Sequence, residues 1–289
     1  MKKILVPIDY STYADNAVYY AIQIAKKIGA DIHLFHALEH ELIPTAGIMM
    51  WPVENFEKSK EDSDKNLLKY IDLLKEMPEL SLPYLPNISY SSETGSVKQI
   101  IDKLTTEDHY DLIIMGLAGA GKVNRFFLGS NSRDVIGKTK VPLLLVPKVS
   151  AYQPLKKIAF ATDLGQSDIN SIHAIAKLFC LFNPEILLAH VDTQLSDIHN
   201  PNSKANLFLN SVTNTLNYSK IYYRHLNATS VEDGLKWLSE NGQINILAMI
   251  HRHSSIFSRI IDGSHTHKLA AALHCPLLVM PEDKTPIGW

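Results

Sequence analysis

Cysteine is nearly absent. Cys180 and Cys275 are the only two in 289 residues, and both sit in apolar stretches, KLFCLF and ALHCPLLV. That excludes a disulfide framework and reads as two buried free thiols. Charge of one sign is missing too: 30 acidic residues against 28 basic ones leave a formal net charge of -2. Such a chain has no electrostatic footprint for nucleic acid or for an anionic membrane. No apolar run reaches the length of a bilayer span. Five residues separate Lys3 from Asp9, too few for the apolar region of a signal peptide. The expected location is the cytoplasm, with neither nucleic acid nor membrane as a partner.

What is present is a large apolar fraction, 46%, enough for a core in each of two domains. Two is also the number suggested by the length, at roughly 100–200 residues per domain. KKILVPID opens the chain as a continuous apolar run, the pattern of a strand buried on both faces. A helix follows, with Ser11 as its N-cap and Gly29 as its C-cap, and Ala14, Ala17, Val18, Ala21, Ile22 and Ala25 at helical spacing. DIHLFHAL is a second strand. Residues 39–58 are expected to be irregular and carry Met49, Met50 and Trp51. A long helix, KSKEDSDKNLLKYIDLLKEM, leads to the strand NISYSSET. SVKQIIDKLTTE is a helix capped by Ser96, YDLIIMG a fourth strand, SNSRDVIGKT a helix start and VPLLLVPK a fifth strand. This alternation predicts an α/β fold built on a parallel sheet with helices on both faces.

The second half repeats the first. KKILVPIDYS returns as KKIAFATDLG, DIHLFHALE as EILLAHVDT, YDLIIMG as INILAMI, and LGSNSRDVIGKTKVPLLLVPK as DGSHTHKLAAALHCPLLVMPE. The offset is 154 residues at the start (Lys2 to Lys156) and 134 from the fourth strand on (Gly116 to Ile250), so the second copy is shorter in its middle. An internal duplication of this kind is an architectural signal. The expected units are two tandem Rossmann-like domains, 1–149 and 155–289, each with a five-stranded parallel sheet.

One segment carries chemistry: DLIIMGLAGAGKVNRFFLGSNS, Asp111 to Ser132. Gly116, Gly121 and Lys122 imitate a P-loop, but Val123 stands where that motif needs a metal-binding Ser or Thr. The longer frame is Gly116, two residues, Gly119, nine residues, Gly129, Ser130. Gly116 and Gly119 permit close backbone approach to a ligand after a strand, or make a plain tight turn. Gly129 and Ser130 begin a helix, where free N–H groups and the dipole favour phosphate, with hydroxyls from Ser130 and Ser132 nearby. Lys122 and Arg125, in the intervening stretch, either approach the phosphates or are solvated loop charges.

The pattern Gly-x2-Gly-x9-Gly-Ser, between DLIIMG and VPLLLVP, resembles the ATP-binding signature of the universal stress protein family. KKILVPIDYS and LFHALE resemble it as well, and the likeness spans both copies. The resemblance implies an adenine nucleotide, ATP alone or with magnesium, as ligand. It sets Pro7, Ile8 and Asp9 beside adenine and ribose, with the Asp9 carboxylate as an acceptor for ribose hydroxyls. Taken from the residues alone, Asp9 is equally a cap for the turn before Ser11. The resemblance also assigns Ala37 to adenine through its backbone, and Gly116, Gly119, Gly129, Ser130, Asn131 and Ser132 to the phosphates. Fifth strands pair across dimers in this family, which here implies a pseudo-dimer within one chain and leaves a further homodimer open.

In the second copy Ile250 replaces Gly116 and His253 replaces Gly119, while Gly263, Ser264 and Asp163 remain. Side chains then occupy the space of the phosphates, and this copy is expected to be silent and structural. The implied function is an ATP-binding stress or signalling protein with one competent site in the N-terminal domain. No catalytic constellation is recognisable, so the chain is not read as an enzyme. The alternatives are a nucleotide-using enzyme, such as a slow ATPase or an adenylyl transferase with a second pocket at 39–58, and a nucleotide-free scaffold. His251, His253, His265 and His267 form two His-x-His pairs that could converge on a zinc-type metal. Against this, exposed loop histidines commonly bind nothing, and it is the less favoured reading. Elemental analysis of protein purified without a histidine tag tests it: one equivalent of zinc, with a thermal shift on adding it, supports the site, and neither removes it.

Overall fold

A computed structural model describes residues 2–38, 43–45, 48–50, 53–77, 86–117, 130–136, 139–148, 150–193, 201–251 and 273–282. In chain order the first half runs β1 (Lys2–Ile8), α1 (Thr12–Ile28), β2 (Ala30–Leu38), β3 (Ile43–Thr45), β4 (Ile48–Met50), α2 (Val53–Glu76), β5 (Ile88–Thr94), α3 (Val97–Glu107), β6 (Leu112–Gly116), α4 (Ser130–Ile136) and β7 (Leu143–Val146). The second half runs β8 (Lys157–Ala161), α5 (Gln166–Leu178), a 3-10 turn (Cys180–Phe182), β9 (Glu185–Asp192), α6 (Pro201–Thr215), β10 (Ile221–Asn227), α7 (Val231–Asn241), β11 (Ile246–Ile250) and β12 (Leu277–Met280).

The helix limits follow from local chemistry. Ser11 Oγ accepts a hydrogen bond from the Ala14 N–H at 3.3 Å, and Gly29 closes α1 in the left-handed region at φ 66. Ser96 and Gln99 form a reciprocal capping box at the start of α3, which satisfies two otherwise orphaned N–H groups. The stretch expected to be irregular instead contains an antiparallel pair, β3 with β4, in which Thr45 faces Ile48. The β-branched Ile43, Thr45 and Ile48 suit extended backbone. Helix α2 also begins earlier than the charge pattern indicates, at Val53.

Strands within each half are parallel, in the order β5-β2-β1-β6-β7 for the first and β10-β9-β8-β11-β12 for the second. Alternate side chains feed two cores. Ile4, Val6 and Ile8 join residues of α1, α2, α5 and α6 on one face. Leu5 joins residues of α3, α4 and α7 on the other. The halves meet at β7 and β12, which pair antiparallel with Leu144 opposite Leu278. All ten strands therefore share one sheet, and the fifth strands pair within the chain, as the family resemblance implies. Among the described residues no helix is long and apolar enough to cross a membrane.

Leu143, Leu144, Leu145 and Leu278 are all fully buried at this junction. Leu144→Ala should lower stability by about 2–5 kcal/mol through lost burial and the cavity left behind. Urea unfolding checks this. A loss below about 1 kcal/mol would contradict a packed junction.

Candidate functional site

In an open parallel sheet, ligands settle beyond the carboxyl ends of the strands where the strand order reverses. In the first half that place lies between β1 and β6. The ladder itself opens it. β1 pairs with β2 along its whole length, from Lys2 opposite Ala30 to Ile8 opposite His36. With β6 it pairs only at Ile4 and Leu5. Lys3 accepts from the Asp111 N–H, and the residues of β1 that face β6 alternate from there. The next N–H that would extend the ladder belongs to Pro7, which has none. In the second half Ala161 stands at that position, and pairing of β8 with β11 continues one residue further, to Phe160 opposite Ala248.

The link from β1 to α1 is very short. Asp9, Tyr10 and Ser11 reverse the chain, with Tyr10 in the left-handed region at φ 58. A bulky residue adopts that conformation only when its surroundings enforce it. Asp9 Oδ1 accepts the Ser11 N–H at 3.0 Å, so one carboxylate oxygen holds the turn. The second half repeats each part: Leu164 has φ 62, and Asp163 Oδ1 accepts the Gly165 N–H at 3.1 Å. The Ile8 carbonyl accepts from His36 Nδ1 at 2.7 Å, and the Thr162 carbonyl accepts from His190 Nδ1 at 2.8 Å. These bonds fix the Nδ1–H tautomer in both imidazoles.

The rim of the first crevice is aromatic. The Tyr10 ring lies 5.1 Å from that of His36 and 6.0 Å, edge-on, from that of Tyr70. Burial pushes the Tyr10 hydroxyl pKa up, and a hydrogen bond with Ser63 partly offsets this. Burial, then the hydrogen bond to Asp15, pushes the Tyr70 hydroxyl well above the usual tyrosine range. Both rings are therefore neutral. Tyr10 and Tyr70 were not among the sequence candidates. The usable signal was the three-residue link between β1 and α1, which forces a special backbone conformation on Tyr10.

Pro7 and Ile8 finish β1 beyond its last pairing with β6, Asp9 follows them, Gly116 ends β6, and Ala37 is the penultimate residue of β2. Ser130 and Asn131 begin α4. Ser132 is buried, and its hydroxyl lies 3.2 Å from the carbonyl oxygens of both Gly116 and Leu117. It ties the start of α4 to the end of β6. Gly116 has a second reason to be glycine: a Cβ there would lie 2.8–2.9 Å from Tyr13 Cβ, C and O. The first turn of α1 thus packs directly on the end of β6. Gly119, Gly129, Lys122 and Arg125 lie outside the described residues.

In the second half the corresponding crevice is differently lined. Ile250 and His251 are buried where the first half has Gly116 and Leu117. Thr162, at the position of Ile8, donates to the buried carboxylate of Asp168, which stands where α1 has Ala14. Among the described residues no group of three or more His, Cys, Asp or Glu side chains is placed to hold a metal. His253, His265 and His267, like Gly263 and Ser264, lie outside them.

A doubly wound sheet with its crevice at the β1–β6 switch point defines a Rossmann-like α/β protein. The sequence profile described as the universal stress protein family matches residues 1–147. The chain belongs to the universal stress protein family. A putative universal stress protein of Staphylococcus saprophyticus is 31% identical over 147 residues, covering 50% of this chain and 83% of that protein. A universal stress protein of Synechocystis is 22% identical over 96% of this chain and 99% of its own length, so it shares the double-length arrangement. A crystal structure of a universal stress protein from Archaeoglobus fulgidus superposes over 97% of this chain and 98% of its own, with TM-score 0.67 at 16% identity. That likeness is one of fold.

Gly116→Ala should destabilise the chain by about 1–3 kcal/mol, because backbone of α1 must move to admit the methyl group. Chemical denaturation without any ligand measures it. Wild-type stability in the variant would refute the close packing.

Proposed function

We infer that the first half, residues 1–149, binds an adenine nucleotide, ATP in the first instance, in the crevice between β1 and β6. The chain then acts as a nucleotide-responsive stress or signalling protein, with residues 155–289 as a silent pseudo-symmetric partner. The observation that carries this reading is the early end of the β1–β6 ladder at Leu5, on the two strands whose ends lead into the turn at Asp9 and into Gly116, the first residue of the family's glycine signature. Pro7, Ile8, Asp9 and Ala37 border the base and ribose end. Tyr10 and His36 add an aromatic wall suited to a planar base. By the family signature, Gly116, Gly119 and Gly129, with Ser130, Asn131 and Ser132 at the start of α4, would take the phosphates. The Asp9 carboxylate is an ionised acceptor of the kind that suits a ribose hydroxyl. In the second half a buried Ile250 stands at the position of Gly116, and this departure from the glycine signature supports a single competent site per chain.

Because Gly116 also serves packing, Gly119→Val and Asp9→Asn are the better probes. Asparagine keeps the acceptor that holds the Ser11 N–H and removes only the charge. Calorimetric titration of the whole chain with ATP should give one site, abolished in Gly119→Val. In Asp9→Asn binding should be weaker by roughly tenfold or more, the loss of one charge-assisted hydrogen bond. Identical titrations for wild type and both variants, or no binding to any, would sink the reading. Release of phosphate during the titration would redirect it toward an ATPase.

A further inference from the structure

A second cavity lies away from both crevices, at the seam between the halves. It has a volume of about 270 Å³. Its walls come from four sources: Tyr20 and Ile24 of α1, the connecting segment from Ser150 to Leu155, Ser239 of α7, and the residues at the starts of β11 and β12. At ~30 Å³ per water it holds roughly nine solvent molecules, the volume of a small ring compound.

The walls are rigid. Asn16 Nδ2 donates to the carbonyls of Pro147 and Ser150 at 2.8 and 2.9 Å. The Tyr20 hydroxyl donates to the Ala151 carbonyl at 3.1 Å and therefore accepts from Ser150 Oγ at 2.8 Å. Asn245 Oδ1 accepts the N–H groups of Lys156 and Lys157 at 2.8 and 2.9 Å. The connecting segment is thus pinned to the first half at one end and to the second half at the other. Tyr152 stands edge-on to Tyr20, with ring centres 5.2 Å apart, and completes an aromatic corner.

Among the described residues no Lys, Arg, Asp or Glu lines the cavity. This is particular to the second half. Asn245 caps the first residues of β8 where Asp111 caps Lys3 in the first half. His274 and Cys275 stand where the first half has Lys140 and Val141. Burial pushes the Cys275 thiol pKa up to about 12, so it lines the wall as a neutral, unreactive group. Asn245 Nδ2, the Gln153 amide and the His274 ring form no hydrogen bond among the described residues, which leaves directional polar groups beside the aromatic corner of Tyr20 and Tyr152 and the apolar Ile24, Leu155 and Ile244. That combination orients a small ligand.

We propose that this seam cavity is a binding site for an uncharged, planar heteroaromatic compound of nucleobase size, distinct from the nucleotide crevice. Charged phosphates are excluded by the absence of any cationic side chain in its walls. The ligand would touch α1, the connecting segment and the second half at once, and so hold the two halves together.

Methyl NMR of the whole chain at pH 8 tests this with benzimidazole as the neutral probe and benzoate as the charged control. Benzimidazole should move the methyl signals of Ile24, Ile244 and Ile246 saturably, in the presence or absence of ATP, and benzoate should not. Tyr152→Ala should weaken the effect roughly tenfold by removing the aromatic wall. Gln153→Trp, a change at an exposed position on the rim, should block it while leaving the remaining spectrum in place. The proposal is overturned by no movement at millimolar probe, by an equal response to benzoate, or by variants that titrate like wild type. Displacement of the probe by ATP would put it in the first crevice and overturn the proposal as well. Because the readout is at the seam, failure here leaves the ATP titration untouched.

Discussion

The antiparallel ladder between β7 and β12 is the contact on which the architecture rests. Each half alone is a five-stranded sheet with one fifth-strand edge open. Pairing Leu143, Leu144 and Leu145 with Val279, Leu278 and Leu277 closes both edges at once and removes a row of unpaired backbone groups. It also reverses strand direction across the junction. The carboxyl ends of β1 and β6 therefore lie on the same rim of the sheet as the amino ends of β11 and β12. The β1–β6 crevice and the seam cavity share that rim, and α1 borders both, with Tyr13 against Gly116 and Tyr20 in the cavity wall.

Duplicated geometry separates what the fold needs from what a ligand needs. The short turns at Tyr10 and Leu164, their Asp9 and Asp163 caps, and the histidines beneath them recur in both halves. Their common role is to hold a strand-to-helix reversal. The differences fall at the switch point. Pro7 ends a ladder that Ala161 allows to continue, Gly116 gives way to Ile250, and the apolar pair Ile8 and Ala14 gives way to the hydrogen-bonded pair Thr162 and Asp168. Burying a carboxylate is costly without a partner, and Thr162 supplies one. Each exchange makes the second crevice unlike the first.

Much of the fold was legible because its signals are local. Continuous apolar runs gave the buried strands, and Ser11, Gly29 and Ser96 marked helix limits through caps that the coordinates reproduce. The junction of fifth strands came from the family resemblance, applied to two copies in one chain. The pair β3–β4 escaped notice because two three-residue strands carry too short a pattern to register. The site was legible as a string of glycines and a strand end. Its aromatic wall was not, since Tyr10 and Tyr70 are separated by 60 positions in the chain and come together only through packing of α2 on α1. The second purpose of Gly116 was hidden for a similar reason: spacing marks a glycine, but only neighbouring atoms say what it makes room for.

The closing ladder also sets an order of events during synthesis. β7 leaves the ribosome roughly 130 residues before β12. At cellular elongation rates of about 5–20 residues per second, that interval is on the order of ten seconds. During it the first half can collapse around β1 and α1, yet its terminal strand waits with an apolar edge uncovered. Two nascent chains on one messenger could join through those edges before either reaches its own partner strand. The fused arrangement shortens the search for a partner to the length of a single chain, but makes the newborn protein dependent on a delay that the finished sheet no longer shows.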